Sequence, residues 1–433
     1  MLDTVLDLAR RKGAAADALL RDEATLSLKF ESGRLKENAF RQEKGLNLRV
    51  TAHGRVGVAG TTDLTGVDDV VERAFASAAE GDMLDLAFPG RAPVAAVETW
   101  SDRAAGLSVD ELAWFGRRVV ERLARPGWQV NASIDRYVET TRFANSAGQS
   151  CEYRATAISV SADVTRVAGD DVLMAYDYSA AVAAPAEADL DRIARTIVTK
   201  MERAERVVEP PEGRLPVLFT PEGSAAILLP LRQALSGKTV LQGVSPVGGK
   251  VGERLFDEVL TLTDDPLTPG RIASRPLDDE GTASARLPLI ERGVVRAFVY
   301  DLETAARTGT RSTGHGKRAT FGKPGIAFSN LVLESGALDE DGLLEEIGHG
   351  LVVDELIGVG QGNTIAGGFS HPVALAYRVD GGAIAGRVKD AAVAGNVYEL
   401  LKRIRALGRD AKWIAGTRRV PPMVLDGVNV ARR

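Results

Sequence analysis

Between residues 26 and 61 the chain alternates apolar and polar side chains, and glycine turns interrupt that alternation twice. Leu26, Leu28 and Phe30 share one side, ESGR turns the chain, Leu46, Leu48 and Val50 alternate again, and AHGR turns it into VGVAG. A period of two belongs to a strand, and short connections with Gly at left-handed positions join antiparallel neighbours. Such a meander is incompatible with a doubly wound parallel sheet, whose strands need long crossovers. The alternation resumes from Trp128 to about Leu173, as in AISVSADV.

Helices interleave with these strands. Leu2, Val5, Leu6 and Ala9 predict a helix over 2–12 that ends near Gly13, and VDDVVERAFASAA predicts another over 67–79. Ser108 and Glu111 form a capping box ahead of ELAWFGRRVVERLA. Leu190, Ile193, Ile197 and Met201 line one side of a charged helix over 187–206. The two prolines of VVEPPEGRLP disfavour regular structure and mark a boundary, which divides the chain into residues 1–210 and 215–433. Beyond it the strand-like runs VLTLTDD, ARLPLIERGVVRAFVYD and HPVALAYRVDGGAIAGRV precede a helix expected at 395–407. Mixed hairpins and helices in both halves give an α+β fold of two domains.

At 433 residues, with 45% apolar and 26% charged side chains, the chain has the composition of an ordinary globular protein. A net charge of −5 without a basic face argues against nucleic acid. No run approaches ~20 uninterrupted apolar residues, and the N-terminus lacks the apolar core of a signal peptide. A single cysteine, Cys151, excludes an internal disulfide framework and fits a reducing compartment. The expectation is a cytoplasmic protein that contacts neither membrane nor nucleic acid.

Chemistry-bearing residues are scattered. His53, His315, His349 and His371 show no paired spacing. Asp278, Asp279 and Glu280 are adjacent, so in an extended segment they face opposite ways and cannot converge on one ion; they read as a capped turn before a hairpin. RSTGHGKR (311–318) and IGVGQGNTIAGG (357–368) are rich in Gly but match no phosphate-binding loop, and they suit the lining of a groove. Ser312, Thr313, His315 and Arg318 are therefore the candidates for contact with a peptide, and Arg307, Arg311, Lys317 and Arg318 form a local basic cluster. The apolar stretch AAILLPLRQALSGK (225–238), set behind the strand LPVLFT, carries nothing that binds a metal or moves a proton.

Several segments together resemble the TldD/PmbA family, and within it the PmbA (TldE) branch. They are ESGRLKENAFRQEKGLNLRVTAHGRVGVAGTTDL (31–64), VGERLFDEVLTLTDDPLTPGRIASRPLDDEG (251–281), STGHGKR (312–318), GLVVDELIG (350–358) and AVAGNVYELLKRIRALGRD (392–410). The resemblance implies an N-terminal α/β domain, a β-rich C-terminal domain and a cytosolic heterodimer of one TldD-like and one TldE-like chain. It implies a zinc metalloprotease acting on unfolded peptides such as leader peptides of ribosomally made products. In the TldD-like chain a His-Glu-x-x-x-His helix and a later cysteine hold the zinc. Anchored on Leu228–Leu229, those slots fall here on Pro230, Leu231 and Leu235, with the cysteine slot near Ala415.

Hydrocarbon side chains offer zinc no lone pair, and Pro230 removes a helical N–H. The resulting expectation is a non-catalytic subunit with no catalytic or metal residues of its own, and with zinc in the partner chain. Two alternatives stand beside it. One is an autonomous hydrolase with a site rebuilt from His315, His349, His371 and the carboxylates near Asp279. The other is a peptide-binding protein without protease activity.

Overall fold

The computed structural model describes residues 1–433. Six antiparallel strands form the N-terminal sheet: β1 (Ala15–Glu31), β2 (Arg34–Ala52), β3 (Arg55–Thr61), β4 (Trp128–Asn145), β5 (Ser150–Ala168) and β6 (Asp171–Ala181), in the order β3-β2-β1-β4-β5-β6. The expected turns close its first two hairpins, with Ser32–Gly33 and His53–Gly54 all at positive φ. Helices α1 (Leu2–Arg11) and α2 (Val67–Ala79) cover one end of the sheet; the short α3 (Asp102–Ala105), α4 (Val109–Leu123) and α5 (Glu187–Arg203) cover the other. The Ser108–Glu111 capping box is present on α4.

Parity along β1 and β2 sorts their side chains into two buried sets. Even positions such as Ala18, Leu20, Leu28, Leu46 and Leu48 bury against the helices. Odd positions face the other way, and there Asp17, Arg21, Asn47 and Arg49 are buried as well. Residues 16–21 are consequently buried without interruption, which a strand reaches only when both its faces are covered.

The C-terminal half is built from short strands. Gly350–Leu356, Gly213–Phe219, Met423–Arg432, Ala391–Asn396 and Gly368–Asp380 pair in that order. The last then returns to the first, which closes a ring. Leu262–Asp264, Leu287–Glu291, Leu331–Leu333 and Arg418–Val420 belong to a second sheet beside it. α4 and α5 lie between the N-terminal sheet and this ring. Leu112, Val119, Ile193 and Ile197 share one core with Leu218, Leu343, Val352, Tyr377 and Val424. Val207–Val208, on the N-terminal side of the two prolines, pairs with Arg387–Val388 of the C-terminal half.

One element departs from its sequence pattern. The helix expected over 395–407 is a single turn, Val397–Leu400, capped by the Asn396 side chain. Ile404–Leu407 is instead a strand on Met423–Leu425, because an available ladder outweighs a weak helical period. No helix is long and apolar enough to cross a membrane.

Candidate functional site

The apolar stretch behind strand Gly213–Phe219 is broken in two, α6 (Pro221–Ile227) and α7 (Leu229–Ala234). Pro230 stands in the first turn of α7, where a missing N–H leaves no helical bond unmade. Leu231 and Leu235 are fully buried, in one core with Ile227, Leu228, Val353 and Leu425. The hairpin Lys412–Ile414/Arg418–Val420 packs on α6 and carries Ala415 at its tip, at positive φ beside Gly416. The fold thus brings the neighbourhood of Ala415 to α6 and α7. Ala225, Leu228, Leu229 and Val420 meet there beside Arg232 and Arg418, and Lys412 of the hairpin pairs with Glu222 of α6. Zinc needs nitrogen, sulfur or oxygen donors at about 2.0–2.3 Å, and Pro230, Leu231, Leu235 and Ala415 have none on their side chains.

The three histidines do not assemble. His371 borders a hollow of about 130 Å³ next to Pro230 and stacks on Phe369. His349 is exposed and lies 3.6 Å from Asp380. His315 is buried, with Nε2 3.1 Å from Asp264 and Nδ1 2.9 Å from the Thr313 hydroxyl.

Loop 312–318 and the carboxylates Asp278, Asp279 and Glu280 lie against the odd face of β1 and β2. Asp278 does cap a turn, accepting from the N–H groups of Glu280 (3.0 Å) and Thr282 (2.8 Å). Its two neighbours go elsewhere. Asp279 takes Arg21 at 2.8 Å and the Arg318 N–H at 2.9 Å, whereas Glu280 takes Arg49 at 2.5 Å and the Leu302 N–H at 2.7 Å. Asp17 pairs with both Arg49 and Arg318. Gly281 makes the tight reversal possible: it sits at φ +84°, and a Cβ there would lie 2.3 Å from the Phe143 ring.

Of the four residues marked for peptide contact, His315 and Arg318 are therefore inside the protein, engaged with Asp264 and with Asp17. Ser312 and Thr313 are half-buried and bond Tyr300 and Thr282. A groove lined by His315 and Arg318 has no counterpart here. The buried ions do have a trace in the sequence: Asp17, Arg21 and Arg49 stand at odd positions beside the apolar even positions Ala16, Ala18, Leu20, Leu48 and Val50.

A second ionic centre lies where α5 meets the ring, at a cleft of about 570 Å³. Lys200 reaches Asp354 at 2.6 Å, Thr220 donates to Asp354 at 2.8 Å, and Lys412 bridges Asp177 and Glu222. Burial pushes the Glu355 carboxyl up to about 7 against the pull of Lys200. Burial also opposes ionisation of Glu222, but Lys200 and Lys412 overcome it and hold that carboxyl below its ordinary value. Glu222, in the first turn of α6, is thereby committed to two lysines. These partners are distant in sequence, and nothing local pointed to them.

Comparison with known proteins agrees with this architecture. Residues 212–432 match the PmbA/TldA metallopeptidase C-terminal domain, and residues 16–78 match domain 1 of the same group. A protein described as a metalloprotease from Methanothermobacter thermautotrophicus is 27% identical over 410 residues, 91% of this chain and 88% of that one. Metalloprotease PmbA from Escherichia coli O157:H7 is 25% identical over 430 residues, 94% of this chain and 90% of that one. In fold, the chain is similar to the crystal structure of TldE from Thermococcus kodakarensis, with a TM-score of 0.90, 24% identity and 99% of each chain covered.

Proposed function

This chain belongs to the PmbA/TldD metallopeptidase family, and from that premise we propose that it is the non-catalytic, TldE-like subunit of a heterodimeric zinc metalloprotease in the cytoplasm. One observation carries the reading: the places where a His-Glu-x-x-x-His helix would present its donors hold Pro230, Leu231 and Leu235, of which both leucines are fully buried in hydrocarbon. A hydrolytic zinc site needs three protein donors and an open position for water, and that packing supplies neither. The zinc and the bond-breaking step then belong to a TldD-like partner. This chain completes a chamber that admits unfolded peptides, leader peptides of ribosomally made products among them.

The nearest carboxylate, Glu222, supports the same reading because Lys412 and Lys200 hold it ionised and occupied. The test is to purify the chain alone and together with a TldD-like chain, then measure complex size, bound zinc and peptide cleavage. A stable complex whose zinc and activity require the partner is expected. Zinc-dependent cleavage by the isolated chain would overturn the proposal.

A further inference from the structure

One wall of the molecule holds positive charge that nothing in the chain neutralises. Arg232 on α7 and Arg418 of the C-terminal hairpin border the same hollow of about 430 Å³, with Lys238 at its rim, and no carboxylate lines it. Neither arginine takes part in an ion pair. The one charged group that acts on Arg232 is Arg418, and burial and that like charge together depress its affinity for a proton. Asp264, the carboxylate behind this wall, is fully buried and already engaged with Ser329 and His315. The cleft beside α5, in contrast, sets Glu222, Glu340, Asp354 and Asp410 among its cations.

Two half-buried guanidiniums that share a cavity repel each other and lose hydration, so the arrangement is unfavourable until an anion enters. The remaining lining narrows the choice of anion. Ile326, Phe328 and Leu331 make part of the hollow apolar, and its volume exceeds that of a bare inorganic ion. The main chain of Phe328 forms no backbone hydrogen bond within the protein, which leaves it free to meet another peptide group. A planar carboxylate accepts paired N–H bonds from a guanidinium fork while the hydrocarbon and amide groups attached to it meet the rest of the wall.

We propose that the hollow between α7 and the C-terminal hairpin is a receptor for a peptide carboxylate, held by Arg232 and Arg418. The inference deepens the subunit reading, on which it rests for the presence of peptides, by giving this chain a direct hold on one.

The experiment is calorimetric titration of the isolated full-length chain with four probes: acetyl-Ala-Ala-Leu as the free acid, the same peptide as its amide, acetyl-Ala-Glu-Ala amide, and inorganic phosphate. The free acid, the internal glutamate or both should bind saturably and at least about tenfold more tightly than the uncharged amide. The preferred arm tells a chain end from an acidic side chain. Arg232→Gln and Arg418→Gln should each weaken that binding about tenfold or more with an unchanged melting transition, and the exposed Arg214→Gln should not. Equal binding of acid and amide, phosphate binding without any peptide binding, or full affinity in the folded Arg232→Gln/Arg418→Gln double variant would each overturn the assignment. Carboxylate binding by a chain that joins no TldD-like partner would sink the subunit reading and leave this site standing; a working complex without carboxylate preference would do the reverse.

Discussion

Arg49 and Arg318 at the junction of the two halves, and Arg232 and Arg418 beside α7, are the same kind of side chain in opposite electrostatic situations. The first pair is buried in contact with Asp17 and Glu280. The second pair is half-buried, makes no ion pair, and borders a hollow that no carboxylate lines. A paired and buried set of ions fixes how strands from distant parts of the chain sit together, and it offers a ligand no exposed charge. An unmatched set costs stability in the free protein, and that cost is recovered only on binding. The candidates drawn from the Gly-rich loop fall in the first class and the residues of the proposed receptor in the second. Where charge is already paired is thus a better guide to function than where charge is dense.

The harshest way to break this comparison is to unpair the junction. Arg49→Met leaves Asp17 and Glu280 short of a partner inside the protein, and removal of one member of a buried ion pair costs about 3–5 kcal/mol. Urea unfolding should show that loss. A cost below about 1 kcal/mol would mean that water reaches the junction and that its pairing is not structural.

Next in size is the apolar filling of the donor slots. Leu231→Ala opens a cavity in the core it shares with Ile227 and Leu235 and should cost about 2–5 kcal/mol by denaturant titration. A small loss would show a loosely packed segment, which would weaken the case that hydrocarbon has replaced a metal site there.

The range of each interaction determines how much of this was legible in the sequence. The ESGR and AHGR reversals, the Ser108 cap and the break at Pro230 are local, set by residues a few positions apart, and the sequence carries them openly. The apolar character of Leu231 and Leu235 was equally plain once their place on a helix was assumed. The junction was not, because Arg49 and Glu280 are 231 positions apart and Arg318 and Asp17 are 301 apart. Asp279 and Glu280 show the limit well: adjacency said correctly that they point apart, but only the fold supplies Arg21 for one and Arg49 for the other. The helix expected over 395–407 failed for a related reason, since the strand that captures Ile404–Leu407 comes later in the chain. The unmatched arginines are invisible to sequence by their nature, because lacking a partner is a property of the whole surroundings.

Protonation sharpens the contrast at the α5 cleft, with a somewhat smaller effect. Glu355, raised by burial to about 7 beside Lys200, Asp354, Glu222 and Lys412, binds a proton more tightly folded than unfolded. Its contribution is therefore fully present below its unfolded value of about 4.3 and is lost as pH rises through about 7. Between about pH 5 and 8 that loss comes to about 2–3 kcal/mol. Stability measured from about pH 5 to 8 should fall, and Glu355→Gln should flatten the slope. Glu222, whose carboxyl is depressed, acts in the opposite sense and loses its contribution only as pH drops below the ordinary carboxylate range. An unaltered slope in Glu355→Gln would assign the titration to another group.

The smallest expected change is the most telling for the comparison. Arg232→Met removes a half-buried charge whose one charged neighbour is another cation, and the methionine keeps much of the aliphatic stem that packs on α7. With no partner left stranded, the unfolding free energy should stay within about 0.5 kcal/mol of the parent or rise slightly, as for a substitution that breaks no pairing. Salt gives the second axis. Added chloride screens like-charge repulsion, so the parent should gain more stability from moderate salt than Arg232→Met does. A loss for Arg232→Met as large as that for Arg49→Met would mean that Arg232 has a structural partner, and the distinction between matched and unmatched arginines would fail at the residue on which it most depends.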